Sequence, residues 1–268
     1  MANDLISTTT ALVREAGARL LRLYSPDNRA ATRDDLFAGL RRNDAVVTDM
    51  LRPGLLAALP GSGWEEDEHA TGPMTAGDQW VVDPVGGNLN LVHGMTDWNI
   101  GVALVRDGRP DFAVLYAPVS GEMFTAVDGG GAFLNGRRMA VSAKTDLAVA
   151  LTGTGQARPS HSLAAAQRVG ASITAMLQNA LYVRSSVPVG HQLAQVAAGR
   201  MDVHWQFENV RSHIGPVLLV REAGGTVTDF DGKPWEITSA GYVAAAPGVH
   251  AAALEVLRST LVTMITEH

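Results

Sequence analysis

The chain has 268 residues, of which 46% are hydrophobic and 18% are charged, proportions that are typical of a folded globular protein. Its formal net charge of −6 argues against a surface for nucleic acid or anionic membrane, because such surfaces need clustered lysines and arginines. The absence of cysteine excludes disulfides, thiolate metal sites and a cysteine nucleophile. No apolar run approaches the length of a membrane span, so we expect a cytoplasmic protein.

The first part of the chain predicts two helices. Apolar residues recur at spacings of three and four from Leu5 to Tyr24, which indicates an amphipathic helix that ends at Ser25-Pro26. The polar stretch 27–43 predicts a loop or loosely ordered helix. A second helix is expected to follow it and to end at Pro60-Gly61.

The stretch WVVDPVGGNLNLVHG at 80–94 is the most informative part of the sequence. Its apolar start predicts the end of a buried strand at Val82, because Pro84 has no N–H to donate to a neighbouring strand. A glycine-rich polar turn follows at once. Asp83 is therefore expected at a strand end beside a turn that a ligand can approach, a common place for chemistry.

The two halves of the chain differ in their pattern. Apolar strands over 100–105, 111–117 and 123–126, separated by turn residues, predict an antiparallel sheet with helices on one side. After residue 146, short strands alternate with helices, which is typical of an α/β arrangement. We therefore predict an α+β half over 1–146 and an α/β half over 147–268 that completes the pocket.

The 80–94 stretch resembles the signature D-P-[IL]-D-G-T-x-N-F-x-H-G of the inositol monophosphatase family, a superfamily of magnesium-dependent sugar phosphatases. The positions that match are Asp83, Pro84, Gly87, Asn90, His93 and Gly94. The hairpin sequence at 131–136 and the Glu-Ala-Gly-Gly sequence at 222–225 also match the family. The resemblance covers nearly the whole chain and implies a layered αβαβα sandwich, usually a homodimer.

The resemblance fails at positions that hold metal in the family. Gly86 stands in place of the second aspartate of the motif, and Asn88 stands in place of the threonine. Counting back from the Glu-Ala-Gly-Gly sequence places Arg211 and Ser212 where the family has a tryptophan and a third aspartate. Magnesium needs several oxygen ligands, and carboxylates supply most of its charge neutralisation. We therefore expect no cofactor, although Glu65 and Asp83 could still form a residual magnesium site.

The family alignment also supplies the candidate site residues. Asp83 is the central candidate, Asp49 matches a further acid near the attacking water, and histidines suit proton transfer near neutral pH. The polar sugar pocket of the family is replaced by more apolar and aromatic residues. The predicted catalytic residues are Asp83, Asp49, His213 and His191, and the predicted substrate-binding residues are Asn88, Trp205, Gln206, Ser212 and Arg184.

Three functions remain open at this point. The first is a repurposed enzyme that performs metal-independent cyclisation, elimination or isomerisation of a small molecule. The second is a residual magnesium-dependent phosphatase that acts on a sugar or nucleotide monophosphate. The third is a non-catalytic pseudophosphatase that binds a ligand or partner through the old pocket. All three imply a small-molecule or protein partner, with neither nucleic acid nor membrane.

Overall fold

The first sheet of the computed structural model is a seven-stranded meander in which strand order follows chain order. The structure describes residues 2–155 and 162–266, and side chains over 4–155 and 162–260. The sheet is antiparallel except for the first pair of strands, which is parallel. Its strands are β1 (Gly63–Trp64), β2 (Asp78–Gly86), β3 (Asn99–Arg106), β4 (Arg109–Ala117), β5 (Glu122–Val127), β6 (Gly131–Leu134) and β7 (Arg137–Arg138).

Helices cover both faces of this sheet, so the prediction of helices on one side is wrong. Helices α1 (Ala2–Leu21) and α2 (Arg33–Ala58) pack on one face, and α5 (Val189–Ala197) and α6 (Ile214–Glu222) pack on the other. The central strand β3 shows why. Its alternate residues enter two different cores, and seven of its eight residues are buried. An apolar strand buried on both faces needs a helical layer on each side.

The second sheet has five strands in the order β11, β12, β10, β8, β9. Helices α5 and α6 lie between the two sheets, and α4 (Leu163–Asn179) and α7 (Pro247–Thr266) pack on the outer face. The layered αβαβα prediction is therefore confirmed. The strands are β8 (Leu151–Thr154), β9 (Tyr182–Ser185), β10 (Val203–Gln206), β11 (Thr226–Thr228) and β12 (Tyr242–Ala245).

Helix α2 begins ten residues before the end of the stretch that was predicted as loop or loosely ordered helix. Thr32 starts it with a capping box: its hydroxyl accepts a hydrogen bond from the Asp35 amide, and the Asp35 carboxylate accepts one from the Thr32 amide. The early start gives α2 a buried face that includes Asn43. This extra length of helix brings Asn43 and Asp44 to the candidate site.

Strand β2 continues to Gly86 instead of ending at Val82. Asp83 still pairs with Gly101, but the next pair is Gly86 with Asn99, so Pro84 and Val85 form an irregularity in the ladder. Proline cannot donate to the ladder, and a strand accommodates it at such a bulge. Gly87 then takes a left-handed conformation, with φ of 77°, and starts the short helix α3 (Asn88–Val92).

None of the helices in the described part of the chain is both long enough and apolar enough to cross a membrane.

Candidate functional site

A pair of carboxyl groups marks the end of β2. Asp83 forms a hydrogen bond with Glu68, which lies in the loop between β1 and β2. Both side chains keep a partly exposed surface. Desolvation is the main reason that the pKa of Asp83 rises to about 7, with Glu68 opposing the rise and the charge of Asp44 adding to it. With a pKa of about 7, the Asp83 carboxyl is partly protonated near neutral pH.

Polar residues of α2 surround the Asn88 side chain. Its amide nitrogen donates to Asp44 Oδ1 at 2.7 Å and to the Leu40 carbonyl at 2.9 Å. Its amide oxygen accepts from Asn43 Nδ2 at 2.9 Å. Desolvation raises the pKa of Asp44 to about 6, and the Asn88 hydrogen bond opposes that rise. Asn88, which was predicted to bind substrate, therefore ties α3 to α2 and has its donors and acceptor engaged.

The predicted metal ligand Glu65 forms an ion pair with Arg211. The Nε of Arg211 lies 3.1 Å from Glu65 Oε2. Only 3% of the Arg211 side chain is exposed, against 22% of Glu65, so the pair is shielded from water on the arginine side. Glu65 is therefore already neutralised by a cation of the protein itself.

A side chain at position 86 would meet the ends of the Asn99 and Asp83 side chains. A Cβ atom added to Gly86 would lie 2.7 Å from Asn99 Nδ2 and 2.7 Å from Asp83 Oδ2, closer than real Cβ contacts. The Asn99 side chain is 1% exposed, and its amide nitrogen and oxygen have no hydrogen-bond partner among the described residues. Asn99 and Asp83 thus occupy the space that a second carboxylate would need.

An open cleft of about 310 Å³ holds two of the predicted residues, His191 and Arg184. Burial lowers the pKa of His191, while the charges of Glu122 and Asp97 oppose the change and those of Arg184 and Arg200 favour it. Burial therefore favours the neutral imidazole, the form that can accept a proton. Glu122 is itself paired with Arg200 at 2.6 Å.

Asn90 connects this cleft to the end of β2. It lies on α3, five residues before the segment Met95–Asp97. Its Nδ2 donates hydrogen bonds to the Asp97 carbonyl at 2.8 Å and to the Val187 carbonyl at 2.9 Å. Asp97 and Val187 both line the cleft. A ligand in the cleft would therefore lie beside the loop that follows Asp83.

Three predicted residues lie in the core instead. Trp205 is fully buried and its indole N–H donates to Ser172 Oγ at 3.1 Å. The Gln206 amide oxygen accepts bonds from Thr154 Oγ1 and the Gly155 amide, each at 3.1 Å. His213 is 5% exposed and packs edge-on against Tyr242. These positions do not favour the predicted contact of these residues with substrate.

Asp49 and Ser212 lie outside the core, Asp49 exposed and Ser212 partly exposed. Asp49 is exposed on α2, and the carboxylate of α2 whose charge reaches Asp83 is that of Asp44. Ser212 is partly exposed, and its amide donates to the Glu68 carbonyl at 2.9 Å. Sequence reasoning missed the roles of Asp44, Glu68 and Asn99. For Glu68 a signal existed, the run of four acids at 65–68, but nothing in the run distinguished its last member.

Comparison with known proteins identifies the family of the chain. A model of the inositol monophosphatase family matches residues 1–263. The chain belongs to this family. The inositol-1-monophosphatase of Rhizobium meliloti is 36% identical over 204 residues, which are 73% of this chain and 74% of that protein. The Nus factor SuhB of Pasteurella multocida is 31% identical over 256 residues, 92% of this chain and 93% of that protein.

Solved structures of the family share the fold. An IMPase of Thermotoga maritima superposes with a TM-score of 0.81 at 24% identity, over 96% of this chain and 98% of that one. The extragenic suppressor protein SuhB of Bartonella henselae gives a TM-score of 0.78 at 27% identity, over 95% and 98% of the two chains.

Members of the family are typically magnesium-dependent, but the residues at this site do not fit a two-metal centre. Glu65 is paired with a guanidinium, position 86 is a glycine, and position 212 is a serine. Among the described residues, no three or more histidine, aspartate or glutamate side chains are grouped so that they could hold a metal ion.

Proposed function

We propose that this family member is a metal-independent enzyme that performs proton-transfer chemistry on a small polar molecule in the cleft beside the end of β2. Cyclisation, elimination and isomerisation are the reaction types of this class. The observation that carries the proposal is the Arg211–Glu65 ion pair, because it places a permanent positive charge on a carboxylate that magnesium would need.

Electrostatics favours this interpretation over two-metal hydrolysis. Two unit charges 4 Å apart interact by about 4 kcal/mol at an effective dielectric constant near 20, so a divalent cation at that distance from a guanidinium meets a repulsion of about 8 kcal/mol. Two or more nearby carboxylates would have to offset it. Here Glu65 is already paired, and Asp83, with a pKa of about 7, is partly protonated near neutral pH.

The groups that remain suit acid–base catalysis. Asp83 has a pKa of about 7, which makes it able to donate or accept a proton near neutral pH. His191 faces the cleft with a lowered pKa and is a candidate base. Arg184 lines the same cleft and can orient an anionic group of the substrate.

The direct test is a calorimetric titration of metal-free protein with Mg²⁺, followed by a phosphate-release assay over sugar and nucleotide monophosphates. We expect neither binding heat nor phosphate release. Turnover of a non-phosphorylated substrate, once found by screening, should fall about 100-fold or more in Asp83→Asn, since general acid–base catalysis typically contributes at least that factor. Stoichiometric magnesium binding with phosphate release would overturn the proposal.

A residual phosphatase is the second candidate, and one observation favours it. Asp83, Glu68 and Asp44 lie close enough to influence one another, and a cation would relieve the desolvation and repulsion that raise the pKa values of Asp83 and Asp44. The relatives named inositol-1-monophosphatase point the same way. The magnesium titration separates the two candidates, because only the phosphatase requires binding.

A non-catalytic binding protein is the third candidate, and the relatives named Nus factor SuhB favour it. Under this interpretation the closed carboxyl pair has no chemical role. Asp83→Asn would then leave the biological function intact, whereas loss of that function in a correctly folded variant would exclude a purely structural role for the carboxylate.

We also propose that the chain forms a homodimer through the outer edge of the second sheet. Strand β9 is an edge strand, and the exposed apolar side chains around it include Leu177, Leu181 and Tyr182. Such a patch is typical of a protein interface. Light scattering should show a dimer for the wild type, a monomer for Leu181→Asp, and an unchanged dimer for the control Val119→Asp, whose side chain lies elsewhere.

A further inference from the structure

Arg211 is held by oxygen atoms from a single segment of the chain. It belongs to the short 3-10 helix Arg211–His213 that precedes α6. In addition to Glu65, its guanidinium donates to the Gly72 carbonyl at 2.7 Å through Nη1 and to the Pro73 carbonyl at 2.9 Å through Nη2. One carboxylate and several carbonyl oxygens are the kind of ligand set that a hard cation also takes.

The main chain strengthens the same contact. The Arg211 amide donates to the Ala70 carbonyl at 3.1 Å, and the Ser212 amide donates to the Glu68 carbonyl at 2.9 Å. The segment 65–73 is therefore fixed to the start of α6 by side-chain and main-chain bonds together. The same attachment holds Glu68 beside Asp83.

We propose that Arg211 takes the structural place of a bound metal ion and closes the segment 65–73 onto the end of β2 without any metal. The inference rests on the proposed function, since it requires that no magnesium binds Glu65. Arg211 is a positioning residue, because it acts on Asp83 through Glu68. Lysine cannot replace it fully, because an ammonium group lacks the planar fork that reaches one carboxylate and two carbonyls at once.

Hydrogen exchange on the wild-type protein tests the closure directly. The amides of Arg211 and Ser212 donate to the segment, so their exchange reports whether it is closed. We expect both amides to be equally protected in EDTA and in excess MgCl₂. Rapid exchange in EDTA that slows in MgCl₂ would show that a metal closes the segment and would overturn the inference.

Substitution of the arginine tests its role as a cation. Arg211→Met should lower Tm by about 10 °C, because it leaves Glu65 without its buried partner. Arg211→Lys keeps the charge and should recover part of the lost stability and protection. In Arg211→Met, excess Mg²⁺ should restore part of the protection at Ser212, since the freed Glu65 can bind a cation. The control is Arg221→Met, an exposed arginine on α6, which should leave stability and exchange unchanged.

The outcomes separate this inference from the proposed function. Magnesium binding to the wild type would defeat the proposed function and this inference with it. This inference alone fails if the wild type does not respond to magnesium and the segment in Arg211→Met stays protected. It also fails alone if Arg211→Met loses that protection and Mg²⁺ does not restore it. If Arg211→Met does not fold, the wild-type exchange experiment and Arg211→Lys decide.

Discussion

The carboxylates around Asp83 and the open cleft around His191 are neighbouring regions that differ in how their charges are compensated. Around Asp83, charge is reduced within the protein, because the raised pKa of Asp83 favours its protonated form and Arg211 pairs with Glu65. Around His191, charged side chains of both signs line an open cleft. Two neighbouring regions of one scaffold can therefore handle charge differently, by pairing within the protein in one place and by exposure in an open cleft in the other.

Restoring the carboxylate at position 86 should disturb the region around Asp83 more than any other single change. Gly86→Asp should destabilise the protein by about 4 kcal/mol, because the new side chain overlaps Asn99 and adds a charge beside Asp83. Urea denaturation measures the loss. Magnesium should not recover it.

The matched control is Gly170→Asp, on α4, where an added Cβ meets nothing within 4 Å. Its effect should stay within about 1 kcal/mol, the range of helix propensities. A Gly86→Asp variant that is stable and binds magnesium tightly would mean that the metal site is one substitution from intact.

The dependence of stability on pH tests how charge is compensated around Asp83. In the folded protein, the pKa of Asp83 is about 7 and that of Asp44 about 6, both above the usual aspartate value of 3.8. At pH values between the usual value and these raised values, the folded state therefore binds more protons than the unfolded state. Stability must therefore fall as pH rises through this window. We expect a loss of about 3 kcal/mol between pH 5 and 8, from about 1.4 kcal/mol per pKa unit with a reduction for partial exposure.

Urea denaturation at several pH values checks this slope, and Asp83→Asn should flatten it by more than half. Repeating the series in excess MgCl₂ distinguishes neutralisation within the protein from neutralisation by a bound cation. An unchanged slope supports internal neutralisation, whereas a slope that magnesium abolishes would place a cation beside Asp83.

The cleft should respond on a smaller scale. Removal of the Glu122 carboxylate in Glu122→Gln should lower the pKa of His191 further, and removal of the Arg184 charge in Arg184→Met should raise it, each by a few tenths of a unit because solvent screens the cleft. An NMR titration of the imidazole measures both shifts. The exposed Arg14 on α1 supplies the control, Arg14→Gln, which should leave the titration unchanged. Shifts of the same sign in both variants would show that packing, not charge, sets the pKa.

Local patterns predicted the parts of the fold whose causes are local. The turn between β3 and β4 contains Asp107 and Gly108, and both take positive φ values, 47° and 75°. The strands on either side follow from runs of apolar and β-branched residues. The start of α2 escaped detection because its capping box lies inside a polar stretch with few apolar residues, and capping supplies no periodicity.

The amino-acid sequence by itself determined the family and the layered fold, because these are carried by motifs read along the chain. Only the tertiary structure decided which charges meet. Arg211 pairs with Glu65 across 146 residues, and Asp44, not Asp49, influences Asp83. Such pairings depend on how helices and loops pack, and a sequence pattern reports the face of an element without naming what that face will contact.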